Sequence, residues 1–206
     1  MSRRLFPCLV VSLVAVCSSQ PVRSQDDVPD DPQQAAQRMQ EHATPGAPHQ
    51  LLNHCIGKWR TETRMRGMAP TSGTAEFRWI LGNRYVMQEF AGQMMNMPYE
   101  GVGLMGYDNY KKKYTSSWAD SLSTTMNHSE GIPDGSGQVI QFHGTMDEYL
   151  TGIHDKPVKY VLDLSEDDRI VLEVHDLASG PDSRVVEIVY TRLQDDSADA
   201  AGAANR

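Results

Sequence analysis

The segment 112–120 carries the residues best suited to hold a small molecule. Tyr114, Ser116, Trp118 and Asp120 occur there at every second position, and alternate side chains of a β-strand share one face. That face combines aromatic surface with hydroxyls and a carboxylate, which is the mixture found in small-molecule cavities. We therefore predict that it forms a wall of a binding cavity.

The segment 84–93 repeats this mixture, with Tyr85, Met87 and Glu89 at alternate positions. Arg78, on the preceding predicted strand, could pair with Glu89 in the interior or hold a ligand carboxylate through two hydrogen bonds. The alternative is that Arg78 lies on the outer surface, where charged side chains usually occur. The predicted cavity wall consists of Arg78, Tyr85, Met87, Glu89, Tyr114 and Trp118.

Methionine is frequent in the chain, with 11 residues. One group comprises Met65, Met68, Met94, Met95, Met97 and Met105. Thioethers suit Cu(I), but methionine also lines adaptable apolar cavities and hairpin tips. We favour the second interpretation because alternation along a strand points Met94 and Met95 to opposite faces.

Four histidines occur on or beside the late predicted strands: His128, His143, His154 and His175. Imidazoles on adjacent strands could converge on a metal, but the spacing of these four fits no compact ligand motif. Alternation places His175 opposite the more apolar face of its strand, and therefore outside. We interpret all four as solvated side chains and predict no metal site.

The sequence contains no nucleophile elbow, no phosphate-binding glycine loop and no paired zinc-ligand motif. Gly101-Val102-Gly103 lacks a third glycine and a following helix. Asp120, Ser121 and His128 are too common in type for their proximity in sequence to indicate a hydrolytic set. We predict no catalytic residues and no cofactor, and keep an enzyme as an alternative.

The elements that must position these residues are β-strands. Hydrophobic alternation and turn residues predict ten of them, near 58–67, 73–81, 84–93, 99–107, 112–120, 122–130, 138–147, 158–165, 168–176 and 184–193. Reversals such as Gly82-Asn83 and Asp134-Gly135 are short, so neighbouring strands should be antiparallel. A short helical segment at 49–56 could cover one mouth of the sheet through Leu51, Leu52 and Ile56.

A sheet of about ten strands rarely stays open, because its edges expose unpaired backbone groups. Gly57-Lys58-Trp59 opens the β-patterned stretch and Tyr190-Thr191-Arg192 closes it. If first and last strands are neighbours, Arg192 can lie across the indole of Trp59 and close the barrel end. The sequence thus predicts an all-β fold: a single closed antiparallel meander barrel, with a short N-terminal helix.

The first 24 residues have the pattern of an export signal. Arg3 and Arg4 precede an apolar run at 9–16 that is too short to span a bilayer. We predict an extracytoplasmic protein, periplasmic or secreted, with the twin-arginine route and lipidation of Cys17 left open. A flexible spacer with a short helix follows at 25–48, then the barrel domain at 49–193 and a disordered tail at 194–206.

The charge and the cysteine content argue against some partners and against a stabilising disulfide. The formal net charge of −8 disfavours nucleic acid and anionic membrane surfaces. No later apolar run approaches the length of a transmembrane helix. If the signal is cleaved after Cys17, Cys55 is the only cysteine left, so no internal disulfide can form.

Four groups of residues together carry a family resemblance: Gly57-Lys58-Trp59, Gly106-Tyr107-Asp108-Asn109, Trp118-Ala119-Asp120-Ser121 and Glu187-Ile188-Val189-Tyr190-Thr191-Arg192. With them, residues 49–193 resemble the uncharacterised DUF1579 family. The resemblance implies a calycin-like barrel, related in architecture to lipocalins and fatty-acid-binding proteins. It implies no established activity, and ligand binding follows only by analogy of fold.

The function that this reasoning favours is the binding of a small apolar or amphipathic molecule inside the barrel. Two alternatives remain: an enzyme or metal-binding protein that uses the same cavity, and a structural or interaction module with a filled barrel. The ligand and the oligomeric state are not given by the sequence.

Overall fold

The computed structural model describes residues 31–149, 151–180 and 183–194. The predicted export signal, the first part of the spacer, and the tail beyond Gln194 lie outside these residues. Within them the chain forms two α-helices and ten strands, with 3₁₀ turns at Leu52–Cys55 and Leu177–Ser179. The elements are α1 (Pro32–Ala43), α2 (Ala47–Leu51), β1 (Gly57–Met65), β2 (Thr71–Ile80), β3 (Tyr85–Met94), β4 (Met97–Asp108), β5 (Lys113–Asp120), β6 (Met126–Pro133), β7 (Val139–Glu148), β8 (Ile153–Glu166), β9 (Arg169–Asp176) and β10 (Arg184–Arg192).

The ten strands form a closed barrel in which every strand pairs with its sequence neighbours, and β1 pairs with β10. All pairings are antiparallel, and β1 meets β10 in a register that runs from Trp59 opposite Arg192 to Met65 opposite Val186. The predicted closed meander barrel is therefore confirmed. Closure leaves the sheet without a free edge, which removes the aggregation risk of exposed strand edges.

The N-terminal helices form where the sequence supplies capping residues. The Asp31 carboxylate accepts a hydrogen bond from the backbone N–H of Gln33 at 2.9 Å, and Pro32 occupies the first turn of α1. No residue of α1 is buried. Neither of the described helices is long and apolar enough to cross a membrane.

Residues 47–56, which we name the plug, close one end of the barrel. Leu52 and Cys55 of the plug are completely buried against Trp59 and the barrel core. Burial raises the pKa of the Cys55 thiol to about 12, so this cysteine is an inert apolar group rather than a nucleophile.

Side chains of the barrel donate hydrogen bonds to the plug and to the end of α1. The pairs are Trp59 Nε1 to Cys55 O (2.8 Å), Trp79 Nε1 to Asn53 Oδ1 (2.9 Å), Asn109 Nδ2 to Thr44 O (2.8 Å), Tyr114 OH to Pro48 O (2.9 Å), and Arg192 Nη1 to Ile56 O (2.7 Å). Arg192 also places its guanidinium carbon 4.1 Å from the centre of the Trp59 ring. The plug is thus held by donors aimed at groups that would otherwise be unsatisfied.

Candidate functional site

The barrel encloses a cavity of about 620 Å³ that opens at the end opposite the plug. Its rim consists of turns that follow odd-numbered strands, including residues 66–68 after β1 and 122–125 after β5. Its inner walls are apolar: Phe77, Val86, Phe142, Leu162 and Tyr190 all line it. The volume lies within the range of about 300–1,000 Å³ that is usual for small-molecule pockets.

One wall carries a hydrogen-bonded polar set formed by Tyr99, Trp118 and Asp120. The Trp118 indole N–H lies 3.2 Å from both the Tyr99 hydroxyl and Asp120 Oδ2, and the Tyr99 hydroxyl donates to Asp120 Oδ2 at 3.3 Å. The other carboxylate oxygen accepts from the backbone N–H of Leu122 at 3.0 Å. Burial, reinforced by the charge of Asp120, raises the pKa of Tyr99, so its phenol stays protonated and acts as a donor.

The Trp118 indole fits against this wall because β4 has glycine beneath it. A Cβ atom on Gly101 would lie closest to Trp118 Cζ2 and 2.6 Å from Cη2, and one on Gly103 would lie 3.1 Å from Trp118 Cε3. Contacts under 3 Å are not tolerated between carbon atoms. The two glycines therefore let the indole lie against the sheet, where it borders the cavity without filling it.

A second polar cluster lies near the rim on three adjacent strands. Lys156 of β8 places its Nζ 2.6 Å from Glu148 Oε2 of β7 and 2.9 Å from Asp176 Oδ2 of β9. Hydrogen bonds to Glu148 and Asp176 raise the pKa of Lys156, and the hydrogen bond from Lys156 lowers that of Asp176. Lys156 and Asp176 are therefore charged at neutral pH.

A third polar contact lies deeper, where Gln88 Nε2 donates to the Tyr190 hydroxyl at 3.2 Å. Burial raises the pKa of Tyr190, so this phenol is neutral as well. Ser116, Asn127 and Ser129 add small polar side chains to the lining. The cavity thus has the apolar walls and few fixed polar groups expected of a binding site.

The structure separates the six predicted wall residues into three groups. Trp118 lines the cavity. Tyr114 points inward and is buried, but its hydroxyl donates to Pro48, so it packs beneath the plug and not on the cavity surface. The other four require correction: Arg78, Tyr85, Met87 and Glu89 lie on the outer face.

The reason for this correction is the register of β2 and β3. Val86 and Phe90 of β3 are buried, as is Phe77 of β2, which leaves the intervening positions of both strands outside. Arg78 and Glu89 do approach one another, with Nε and Oε2 3.6 Å apart, but both side chains are about half exposed. Glu89 borders a shallow, open depression of about 750 Å³ that other outward residues such as Lys58 and Glu76 share.

The methionine and histidine groups differ in position. The cavity or its rim is lined by five methionines of the predicted group, Met65, Met68, Met94, Met95 and Met105, and also by Met146. This agrees with the cavity interpretation for those five, whereas Met97 is exposed and is not among the described lining residues. His175 lies outside, where its Nε2 is 3.0 Å from Glu173 Oε2. Within the described residues, no group of three or more histidines, cysteines and acids could hold a metal ion.

Sequence reasoning missed several residues that line the cavity. Tyr99 was not assigned to the wall, although it lies on the same face of β4 as Gly101. Lys156 was missed because the predicted eighth strand began at residue 158, whereas β8 begins at Ile153. Lys156 is two positions before the buried Val158, so a strand that began earlier would have placed its side chain on the same, inward face.

Solved structures share this architecture at low sequence identity. The crystal structure of Rv2717c from M. tuberculosis is 13% identical, with a TM-score of 0.53 over 73% of this chain and all of the other. An S-type phycobiliprotein lyase, CPES from Guillardia theta, is 7% identical, with a TM-score of 0.45 over 73% of this chain and 94% of the other. A designed fluorescence-activating β-barrel is 15% identical, with a TM-score of 0.41 over 68% of this chain and 95% of the other.

The similarity to Rv2717c supports the barrel fold alone. No curated protein matches the sequence. The family described as "Protein of unknown function (DUF1579)" matches residues 44–192, a range that includes the plug and all ten strands. The chain therefore belongs to the DUF1579 family.

Proposed function

We propose that this protein binds a small apolar or amphipathic molecule inside the barrel. The observation that carries the proposal is the cavity itself, about 620 Å³ in volume, bordered by aromatic and aliphatic side chains and open at one end only. The interior of a small barrel is usually filled by side chains. Here Gly101, Gly103, Ser116 and Ser129 leave space at inward positions where larger residues would remove it.

Access from one end makes this cavity suited to hold an apolar molecule. The plug excludes water from the floor, since Leu52, Trp59 and Ile140 have no exposed surface. Apolar area that a ligand brings into such a pocket contributes about 25 cal/mol per Å² to binding. The methionine side chains at the rim are flexible enough to fit ligands of different shapes.

A fluorescence titration with the neutral probe N-phenyl-1-naphthylamine tests the proposal. We expect saturable binding with enhanced emission, and energy transfer from tryptophan, because the probe would lie beside Trp118. Native mass spectrometry of protein purified from its own host should also show a retained small molecule.

A matched pair of variants separates cavity binding from surface binding. Ser116→Phe fills the cavity from its wall, whereas Thr115→Phe adds the same ring to the outer face of β5. We expect Ser116→Phe to weaken probe binding by at least about tenfold, or about 1.4 kcal/mol, and Thr115→Phe to leave it unchanged. Equal effects of both variants, or no saturable binding, would rule the proposal out.

We further propose that binding takes place outside the cytoplasm. The support is the sequence pattern of residues 1–24, in which Arg3 and Arg4 precede an apolar run. N-terminal sequencing of protein from the host should find a chain that begins near residue 25. A mature protein that still carries Met1 would contradict export by this signal.

A further inference from the structure

We infer that the cavity selects cationic amphipathic molecules, with the ligand's positive group at Asp120. This inference rests on the proposed binding function and specifies the class of ligand. Its starting point is charge: among the described residues that line the cavity there are four carboxylates, Asp120, Asp147, Glu148 and Asp176, but only two cations, Arg66 and Lys156. The formal charge of this lining is therefore −2.

Both cations already have acceptors: Lys156 lies within a cluster of carboxylates, and Arg66 is an exposed residue at the rim, away from Asp120. Lys156 lies between two carboxylates at 2.6 and 2.9 Å. A ligand carboxylate could reach its ammonium only by displacing Glu148 or Asp176, and would then lie beside a like charge. Arg66, at the rim, donates to the backbone carbonyl of Arg184 at 2.9 Å.

Asp120 differs from the other lining carboxylates because no lysine, arginine or histidine of the described residues lies within ion-pair distance of it, whereas Glu148 and Asp176 contact Lys156 and Asp147 lies 3.5 Å from His154 Nδ1. Its donors are the Tyr99 hydroxyl, the Trp118 indole N–H and the Leu122 backbone N–H, and no cationic group of the described residues forms an ion pair with it. These three bonds fix the carboxylate in place. A carboxylate can accept about four hydrogen bonds, so capacity remains for a donor from the cavity.

The two rings that bond Asp120 belong to an aromatic cluster with Phe90. The Phe90 ring centre lies 5.6 Å from that of Tyr99 and 6.4 Å from that of Trp118, and both pairs are steeply inclined. Ring faces attract cations, tryptophan most strongly, and the attraction increases when the cation loses its water. A carboxylate that accepts from the edges of two aromatic rings, with a third ring packed against both, is the chemistry that recognises an alkylammonium or a quaternary ammonium group.

Three amphipaths of equal chain length test this inference: dodecyltrimethylammonium, dodecanol and dodecanoate. Each is titrated, below the concentration at which it forms micelles, against protein loaded with N-phenyl-1-naphthylamine. We expect the ammonium to displace the probe at a concentration about tenfold lower than dodecanoate, with dodecanol between them. Added NaCl should reduce the difference, because salt screens the attraction of the cation to Asp120.

Two charge-matched variants locate the effect. Asp120→Asn removes the proposed partner and should bring the ammonium and dodecanol within about twofold of each other, a free-energy difference of about 0.4 kcal/mol. Glu89→Gln changes the net charge by the same amount on the outer face and should preserve the wild-type order. Near-ultraviolet circular dichroism establishes that each variant is folded, and the order of the three compounds on wild-type protein does not depend on any variant.

The outcomes distinguish this inference from the binding function on which it rests. Probe binding with dodecanoate as the strongest competitor would overturn cation selection and leave the binding function intact. A cation preference that persists in Asp120→Asn would overturn the assignment to Asp120. A probe that does not bind, together with no calorimetric signal from any of the three amphipaths, would overturn both.

Discussion

Replacement of Gly101 by alanine tests whether the cavity depends on the space beneath Trp118. Gly101 pairs with Phe90 on one side and with Asp120 on the other, so its backbone is held on both edges. The added Cβ would lie closest to Trp118 Cζ2, and it would lie 2.6 Å from Cη2 and 2.9 Å from Cε2 of the same ring. Because carbon atoms in contact lie about 3.5–4.0 Å apart, the indole must retreat by more than about 1 Å.

The cavity, which Trp118 borders, offers open space for that movement. A displaced indole loses good geometry in its hydrogen bonds to Tyr99 and Asp120, both of which are 3.2 Å long in the wild type. Overpacking of a core costs about 1–3 kcal/mol, while replacing a strand glycine returns up to about 1 kcal/mol by restricting the unfolded chain. We therefore expect Gly101→Ala to lower the free energy of unfolding by about 1–2 kcal/mol and to weaken probe binding.

Urea unfolding followed by tryptophan emission and by circular dichroism measures the stability change. Gly135→Ala is the control, since a Cβ at Gly135 has nothing within 4 Å, and its stability should stay within about 0.5 kcal/mol of wild type. The decisive comparison is made in Trp118→Ala, where the clash no longer exists. If Gly101→Ala costs as much there as in the wild type, the two residues are not coupled and the reasoning is refuted.

Three further predictions concern the plugged half of the barrel. Arg192→Lys keeps the charge but cannot reproduce the hydrogen bonds of the guanidinium to the carbonyls of Ile56, His54 and Asp167, which are 2.7–2.9 Å long. Urea unfolding should therefore show a loss of stability of about 2–4 kcal/mol. A loss below about 0.5 kcal/mol would mean that the guanidinium does not hold the plug. The Thr61 hydroxyl is buried and has no hydrogen-bond partner among the described residues, so Thr61→Val should raise the free energy of unfolding by about 1 kcal/mol. A destabilised variant would show that the hydroxyl does have a partner in the folded protein. Burial first, and then the charge of Arg84, lower the pKa of His49, against a backbone hydrogen bond with Tyr107 that raises it. Its stabilising contribution is therefore complete above the unfolded value of about 6.5 and declines as the pH falls below it. The wild-type free energy of unfolding should decrease from pH 7.5 towards pH 5 more steeply than that of His49→Asn, and parallel curves would contradict the assignment.

Barrel closure could be predicted from the sequence because it depends on patterns that do not require a register. Strand number follows from alternation and turn residues, and the lack of any segment long enough for a crossover leaves antiparallel neighbours. Gly82 and Asn83, predicted as a reversal, both adopt positive φ, at 64° and 62°. The stacking of Arg192 on Trp59 then requires only that the first and last strands of the sheet meet.

The inward face of a strand could be predicted only where the two faces differ in character. In β5, Tyr114 and Trp118 mark one face clearly, and that face points inward. In β3 the choice between Tyr85 with Met87 and Val86 with Phe90 is nearly balanced in hydrophobicity. The pairing of Trp79 with Val86 resolves it, because partners across a ladder share a face.

The rim cluster could not be predicted, because it depends on an irregular pairing. Pro157 lacks a backbone N–H and argues against a strand, yet it lies within β8 and pairs with Thr145 of β7. A register shift between Met146 and Glu148 then helps to bring the Glu148 carboxylate within reach of Lys156. Bulges of this kind follow from the closure of the whole barrel and not from local sequence.

The two ends of the barrel are held by different interactions, and this separates stability from binding. At the plugged end, Trp59, Trp79, Tyr114 and Arg192 all donate to residues 47–56, so opening that end would break several hydrogen bonds together, among them the buried bond from Trp59 to Cys55. The opposite rim is lined by flexible methionines and exposed turns. On the proposed function, a ligand would pass the rim, so substitutions in the plug should change unfolding while substitutions at the rim change affinity. The Asp120 carboxylate lies on the wall that leads inward from this rim, where a cation that entered would meet it before the apolar floor.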